Sequence, residues 1–166
     1  MEVTATSRKT FSAYVSNKCI IGYGLINGIV NAAVFAAMHA AQPDVVFGLP
    51  DIAVDLALTG LILGVILFAC VVPLTRHDLN AGRFACPEAF PGAVRLLPRS
   101  YAGAMLALGL VAAVAAVALG AALALVVSIV LPLPLPFLPM MALKGCVCAC
   151  IGALSGYLTI SYVVRG

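Results

Sequence analysis

The chain has 166 residues, of which 64% are hydrophobic and 9% are charged, with a formal net charge of +3 and a mean hydropathy of +1.17. Because a soluble domain carries roughly one quarter charged residues, this composition excludes a soluble globular domain. The basic residues are spread along the chain and flank apolar runs. That pattern predicts a lipid bilayer as the main partner and no nucleic acid.

Four apolar runs are each long enough for a helix to cross the roughly 30 Å of hydrocarbon in a bilayer. We therefore predict an all-α integral membrane fold, a bundle of four transmembrane helices that forms a single transmembrane domain over residues 1–166. The predicted spans cover residues 19–41, 52–74, 101–131 and 141–164. The connections are residues 42–51, 75–100 and 132–140. The first run is longer than the roughly 7 to 15 apolar residues of a secretory signal, so we expect it to be a retained span.

The Lys and Arg residues predict the orientation of the bundle. Eight of the nine precede the first run, follow the fourth run, or lie between the second and third runs. Basic residues near span ends are retained on the cytoplasmic side. We therefore expect both termini and the 75–100 connection to be cytoplasmic, the other two connections to be outside, and the protein to be a multi-pass protein of a bacterial inner membrane.

The first predicted span contains polar side chains and a small-residue ridge. Asn27 and Asn31 lie one helical turn apart near its middle, and His39 lies near its outer end. Gly24 and Gly28 are four residues apart, a spacing that allows helix backbones to approach closely in a membrane. The ridge predicts helix packing, and the Asn pair is expected to face the bundle.

The second predicted span has one polar stripe, because Asp51, Asp55 and Thr59 repeat every four residues. It also has a glycine pair, Gly60 and Gly64. In the connection that follows, His77 and Asp78 are adjacent, a pattern more typical of a solvated helix end than of an acid–base pair.

The third predicted span is apolar and rich in alanine, with a small-residue ridge at Ala112, Ala116, Gly120 and Ala124. Its length predicts that it tilts or projects past the bilayer, and its uniform faces suit a scaffold or dimer helix. The segment 131–139 alternates proline with bulky apolar residues. This favours an extended polyproline II conformation that packs across the mouth of the bundle.

The fourth predicted span combines a basic residue, a cysteine cluster and a ridge. Lys144 is the single basic residue of the predicted outer half, so Asp55 and Asp51 are its natural partners. Cys146 and Cys150 share one helix face, while Cys148 points the other way. We interpret these cysteines as packing residues; the alternative is that Cys146 and Cys150 bind a soft metal. Gly152 and Gly156 form the ridge.

These residues predict a function for the bundle without naming its substrate. Ionisable side chains inside spans mark ion and solute pathways. The sequence therefore favours a small permease or channel-like transporter with an outward-facing polar vestibule formed by Asp55, Lys144, His39, Asn27, Asn31 and Thr59. An equally weighted interpretation is that Asp55 and Lys144 merely neutralise each other and that the Asn residues bridge helices.

Other functions remain as alternatives. The chain could be an accessory or assembly subunit that docks on a larger membrane complex through a glycine ridge, or a carrier of mercury or copper ions. No nucleotide-binding, metalloprotease or hydrolase motif is present, so no catalytic residue and no cofactor are predicted. We expect a homo-oligomer or a larger complex, because four small helices enclose little volume.

Overall fold

The computed structural model describes residues 10–42, 44–85 and 95–165. Within these ranges four helices are long and apolar enough to cross a membrane: Phe11–Met38, Leu49–Asn80, Tyr101–Val127 and Phe137–Arg165. We refer to them as spans 1 to 4. They confirm the predicted all-α, four-helix membrane fold. The direction in which the termini face stays a prediction.

Spans 1 and 2 extend beyond their predicted limits at the end of the bundle where the chain begins and ends. Span 1 starts at Phe11, after Thr10 accepts a hydrogen bond from the Ala13 amide at 3.3 Å. Span 2 continues through Pro73 to Asn80. Hydropathy misses both extensions because their polar side chains pair with one another, as described below.

Spans 3 and 4 also differ from their predicted limits. Span 3 stops at Val127, where the Ser128 hydroxyl donates to the Leu125 carbonyl at 2.7 Å. The apolar residues 129–131 follow as an exposed turn, so the expected helix of more than 30 residues is wrong. Span 4 begins at Phe137 instead of residue 141, because a proline such as Pro139 is tolerated in the first turn of a helix.

Two short strands join the connections at one end of the bundle. Strand β1, Val46–Phe47, pairs antiparallel with strand β2, Leu135–Pro136. Because β2 is paired and Phe137 is helical, the expected polyproline II conformation is not continuous through this segment. Leu135 is fully buried, in keeping with a segment that packs on the bundle. We call this the strand end, and the opposite end, near Phe11 and Arg165, the terminal end.

Span 4 occupies the centre of the bundle. It packs against all three other spans, and span 2 also packs closely along span 3. Span 1 packs mainly on span 4 and has few contacts with span 2. A gap therefore remains between spans 1 and 2 along one side of the bundle.

The predicted glycine ridges form the contacts between spans. A Cβ atom at Gly28 would lie 2.7 Å from the Gly145 carbonyl oxygen, and one at Gly64 would lie 2.9 Å from the Gly109 Cα. The remaining ridge glycines are similarly close to a neighbouring span: Gly24 to Ala149, Gly60 to Ala112, and Gly152 and Gly156 to Tyr23. All six glycines are thus in contact within the chain, and so these ridges are not free to dock on another protein.

Candidate functional site

A groove of about 420 Å³ occupies the gap between spans 1 and 2. Its polar lining consists of Asn27, Asn31, Asp55, Thr59 and Lys144. Its apolar lining includes Val34, Met38, Leu58 and Ile62, whose side chains are exposed on the outside of the bundle. The groove therefore opens sideways, toward lipid in a membrane. We call it the polar groove.

An ion pair joins spans 2 and 4 inside the polar groove. The Lys144 Nζ atom donates to Asp55 Oδ1 at 2.7 Å, the contact that the sequence predicts, and Nζ lies 5.1 Å from the centre of the Phe35 ring. The Lys144 side chain is 9% exposed and that of Asp55 is 32% exposed. At 1.5 Å per residue, both groups lie roughly 10 Å inside their spans. This depth is nearer two helical turns than the one turn expected.

The second carboxylate oxygen of Asp55 is not paired. Asp55 Oδ2 is inaccessible and has no hydrogen-bond partner within the described residues. An unsatisfied buried acceptor costs about 1 to 3 kcal/mol, and more when it is charged. The ion pair therefore leaves one acceptor unsatisfied, and the partly exposed Asp55 side chain has to turn before Oδ2 can accept a proton or a hydrogen bond from a group in the polar groove.

The two asparagines bind their own helix through their amide nitrogens. Asn27 Nδ2 donates to the Tyr23 carbonyl at 2.6 Å, and Asn31 Nδ2 donates to the Asn27 carbonyl at 2.9 Å. Tyr23 lies in a π-helical stretch, Lys18–Leu25, a conformation often found near functional sites. Each amide nitrogen uses one of its two N–H donors in this way, so both asparagines keep a side-chain oxygen acceptor and one N–H donor for the groove.

The structure does not bring His39 into the polar groove. His39 follows the last residue of span 1, and its Nδ1 atom lies 3.0 Å from the Phe35 carbonyl oxygen. Its ring packs on Phe35 and Phe47, with centroids 4.4 Å and 5.3 Å away, and Phe35 also stacks with Phe137. These rings cover the strand end. The expected vestibule is thus a groove open to the side, without His39.

The cysteines of span 4 lie on the faces that the sequence predicts. Cys146 and Cys150 are exposed on the outside of the bundle, and Cys148 is buried. Across residues 10–42, 44–85 and 95–165, no group of three or more His, Cys, Asp or Glu side chains is placed to hold a metal ion. The structure therefore adds no support for the soft-metal alternative.

A second charged cluster, at the terminal end, was missed by the sequence interpretation. Asp78 is 4% exposed, accepts a hydrogen bond from Tyr14 Oη at 2.8 Å, and pairs with Arg83 at 2.9 Å and Lys18 at 3.5 Å. The expected solvated helix end describes the exposed His77 but is wrong for Asp78. A signal was available, because Val71, Thr75 and Asp78 continue the buried face of span 2 at helical spacing.

The fold and the polar groove together define a multi-pass membrane protein, a four-helix bundle with charged groups within its membrane-spanning part. Comparison with protein-family models, with curated proteins and with solved structures finds no match to this chain. The function has to be argued from the groove itself.

Proposed function

We propose that this protein is a small permease or channel-like transporter of a bacterial inner membrane, and that it binds a small cationic or protonated solute at Asp55. One observation carries the proposal: Asp55 lies roughly 10 Å inside an apolar span beside an open groove, with one oxygen bound to Lys144 and the other without a partner among the described residues. Ionisable groups at such depth are costly, and they are typical of ion and solute pathways.

The pair suggests how a solute could be bound and released. A cation or amine that enters the polar groove competes with Lys144 for the Asp55 carboxylate. Asp55 then keeps a partner throughout the exchange, and the displaced Lys144 ammonium, 9% exposed, has to give up its proton so that it is not left as an unpaired charge in the bundle. Thr59 and Asn27 lie about one helical turn farther from the strand end than Asp55 and Asn31, respectively. They provide uncharged oxygens along the same groove.

The sideways opening implies that a second protein surface completes the pathway. The polar groove exposes its contents to lipid on one side, where polar groups are poorly accommodated. We propose that a second copy of the chain covers the polar groove in a homo-oligomer, since the glycine ridges are already used inside each bundle.

The same sideways opening favours a second candidate function, an accessory subunit whose polar groove accepts a transmembrane helix of a larger membrane complex.

Flux measurements on the protein in liposomes test the transport proposal. Proton flux would be followed with an entrapped pH-sensitive dye under a potassium diffusion potential, with and without an added organic amine as a probe. We expect Asp55→Asn to lower the flux by about tenfold or more when equal amounts of folded protein are reconstituted. The matched control is Asp44→Asn, which removes the same charge from an exposed position outside the groove.

The outcomes separate the two candidates. Equal flux through the wild type and Asp55→Asn would contradict a role for Asp55 in transport. No flux from any variant, together with a partner that co-purifies in mild detergent and is lost from Ile62→Arg, would favour the accessory subunit. Ile62 is an exposed residue on the groove rim, so this change should disturb docking more than folding.

A further inference from the structure

A second cavity, of about 470 Å³, lies at the terminal end of the bundle, away from the polar groove. Its lining consists of Arg95, Leu97, Arg99 and Arg165. Three of these four side chains carry a positive charge, and none of the described lining residues is acidic. Arg95 and Arg99 bring two like charges to one cavity, and like charges repel each other. The cavity therefore favours an anion as its occupant.

The arginines are held in place by the end of span 4. Tyr162 Oη donates to the Arg99 carbonyl at 3.0 Å, and Arg165 Nη2 donates to the Leu97 carbonyl at 3.5 Å. The Arg165 guanidinium also lies 5.8 Å from the centre of the Tyr162 ring. Leu97, between Arg95 and Arg99, is buried. The short segment before span 3 is therefore fixed to span 4, and Arg95 and Arg99 lie on it.

We infer that this cavity binds the phosphate of an anionic lipid headgroup. The planar guanidinium group pairs with phosphate oxygens through two parallel N–H donors, a geometry that lysine does not provide. The cavity lies where span 3 begins and span 4 ends, the level at which lipid headgroups meet helix ends. Leu96, which lies between Arg95 and Arg99 in the chain, is 86% exposed. An exposed leucine at the membrane surface can insert among the acyl chains of lipids. A lipid bound in the cavity would therefore contact both the arginines and Leu96, whereas a soluble phosphate would contact only the arginines.

This inference does not depend on the transport proposal. The arginine cavity and the polar groove share no lining residue. A variant that loses lipid binding can thus retain an intact groove, and the two proposals can fail separately.

Thermal unfolding of the full-length protein in mild detergent tests the inference. The chain has no Trp, so far-ultraviolet circular dichroism, which follows the loss of the helices, is a suitable probe. Phosphatidylglycerol should raise the unfolding temperature of the wild type more than phosphatidylcholine does. In Arg95→Gln/Arg99→Gln this difference should disappear, because each arginine near a lipid surface contributes about fivefold in affinity. The hydrogen bonds of Arg165 and Tyr162 to the backbone are untouched by this variant.

The controls decide between a lipid site, a soluble-phosphate site and general charge. Arg76→Gln removes one exposed positive charge outside the cavity and should keep the full phosphatidylglycerol effect. The single variant Arg95→Gln should lower it, and covers the case in which the double variant does not fold. An unchanged lipid effect in Arg95→Gln and in the double variant would overturn the inference. An equal shift from inorganic phosphate at matched concentration would also overturn it, in favour of a soluble ligand.

Discussion

Two carboxylates on span 2, Asp55 and Asp78, are paired with basic side chains but differ in how completely they are satisfied. Asp78 is buried, and both of its oxygens have partners, which come from Tyr14, Lys18 and Arg83. In the part of the chain that the structure describes, Asp55 has one partner, Lys144; its second oxygen has none, and an open groove lies beside it. A carboxylate whose two oxygens both have partners holds helices together, whereas one with an oxygen left over can still bind a solute. The same residue type on one helix thus supports two different interpretations.

The largest expected loss of stability comes from removing the Asp78 carboxylate. Asp78→Ala leaves Lys18, Arg83 and the Tyr14 hydroxyl without their acceptor, and should lower the free energy of unfolding by about 3 kcal/mol. This value is at the lower end of the range for a broken buried ion pair, since Lys18 and Arg83 reach solvent. Chemical denaturation in detergent measures it. Tyr14→Phe, which removes one of the three donors, should cost about 1 kcal/mol. A loss below 1 kcal/mol for Asp78→Ala would show that the cluster does not hold spans 1 and 2.

A double-mutant cycle on Asp55 and Lys144 should give a smaller, non-additive effect. Asp55→Asn and Lys144→Met should each destabilise the protein, because each leaves an uncompensated partner in a partly buried position. The double variant should be less destabilised than the sum of the single variants by about 1 to 2 kcal/mol. The same denaturation assay measures the coupling. If the two effects simply add, the 2.7 Å contact has no energetic weight, and the transport proposal loses its central pair.

The smallest effect on stability is expected at the asparagines. Asn31→Leu removes a hydrogen bond that the side chain makes to its own helix, and should change the free energy of unfolding by less than about 1 kcal/mol. In the liposome assay the same variant should reduce flux severalfold, because it replaces a groove oxygen with a methyl group. Val30→Leu, on the exposed face of span 1, is the control for added bulk. A large loss of stability with normal flux would make Asn31 a structural residue.

The number of spans and their approximate positions could be predicted from the sequence, since each apolar run matches the thickness of a bilayer. The pairing of Asp55 with Lys144 could also be predicted, because few charges are available at that depth. Hydropathy alone does not identify the Asp78 cluster, although the helical spacing of Val71, Thr75 and Asp78 indicates that Asp78 is buried. Lys18 and Arg83 both look like topology signals, and the contact between span 1 and span 2 that unites them is not encoded in either segment alone.

The sequence also does not show which spans pack against each other. Glycine spacing indicates that helices pack closely, but it does not state which partner fills each ridge. Because span 1 lies on span 4, the polar residues of spans 1 and 2 face each other across a gap. This arrangement turned the expected vestibule into a groove open to the side, and it left His39 among the aromatic rings of the strand end.

The register of the strand pair fixes the height of Asp55 relative to Lys144, because each strand leads directly into the span that carries one of the two charges. In the antiparallel pairing Val46 lies opposite Pro136 and Phe47 opposite Leu135. Asp55 follows Phe47 by eight residues, and Lys144 follows Pro136 by eight residues. Both helices follow the same two-residue ladder, and Asp55 lies six residues after Leu49 while Lys144 lies seven residues after Phe137, so the two charges reach nearly the same level. One residue inserted after either strand would shift one charge by about 1.5 Å along its axis and turn it by about 100°, enough to separate acid from base without altering either side chain.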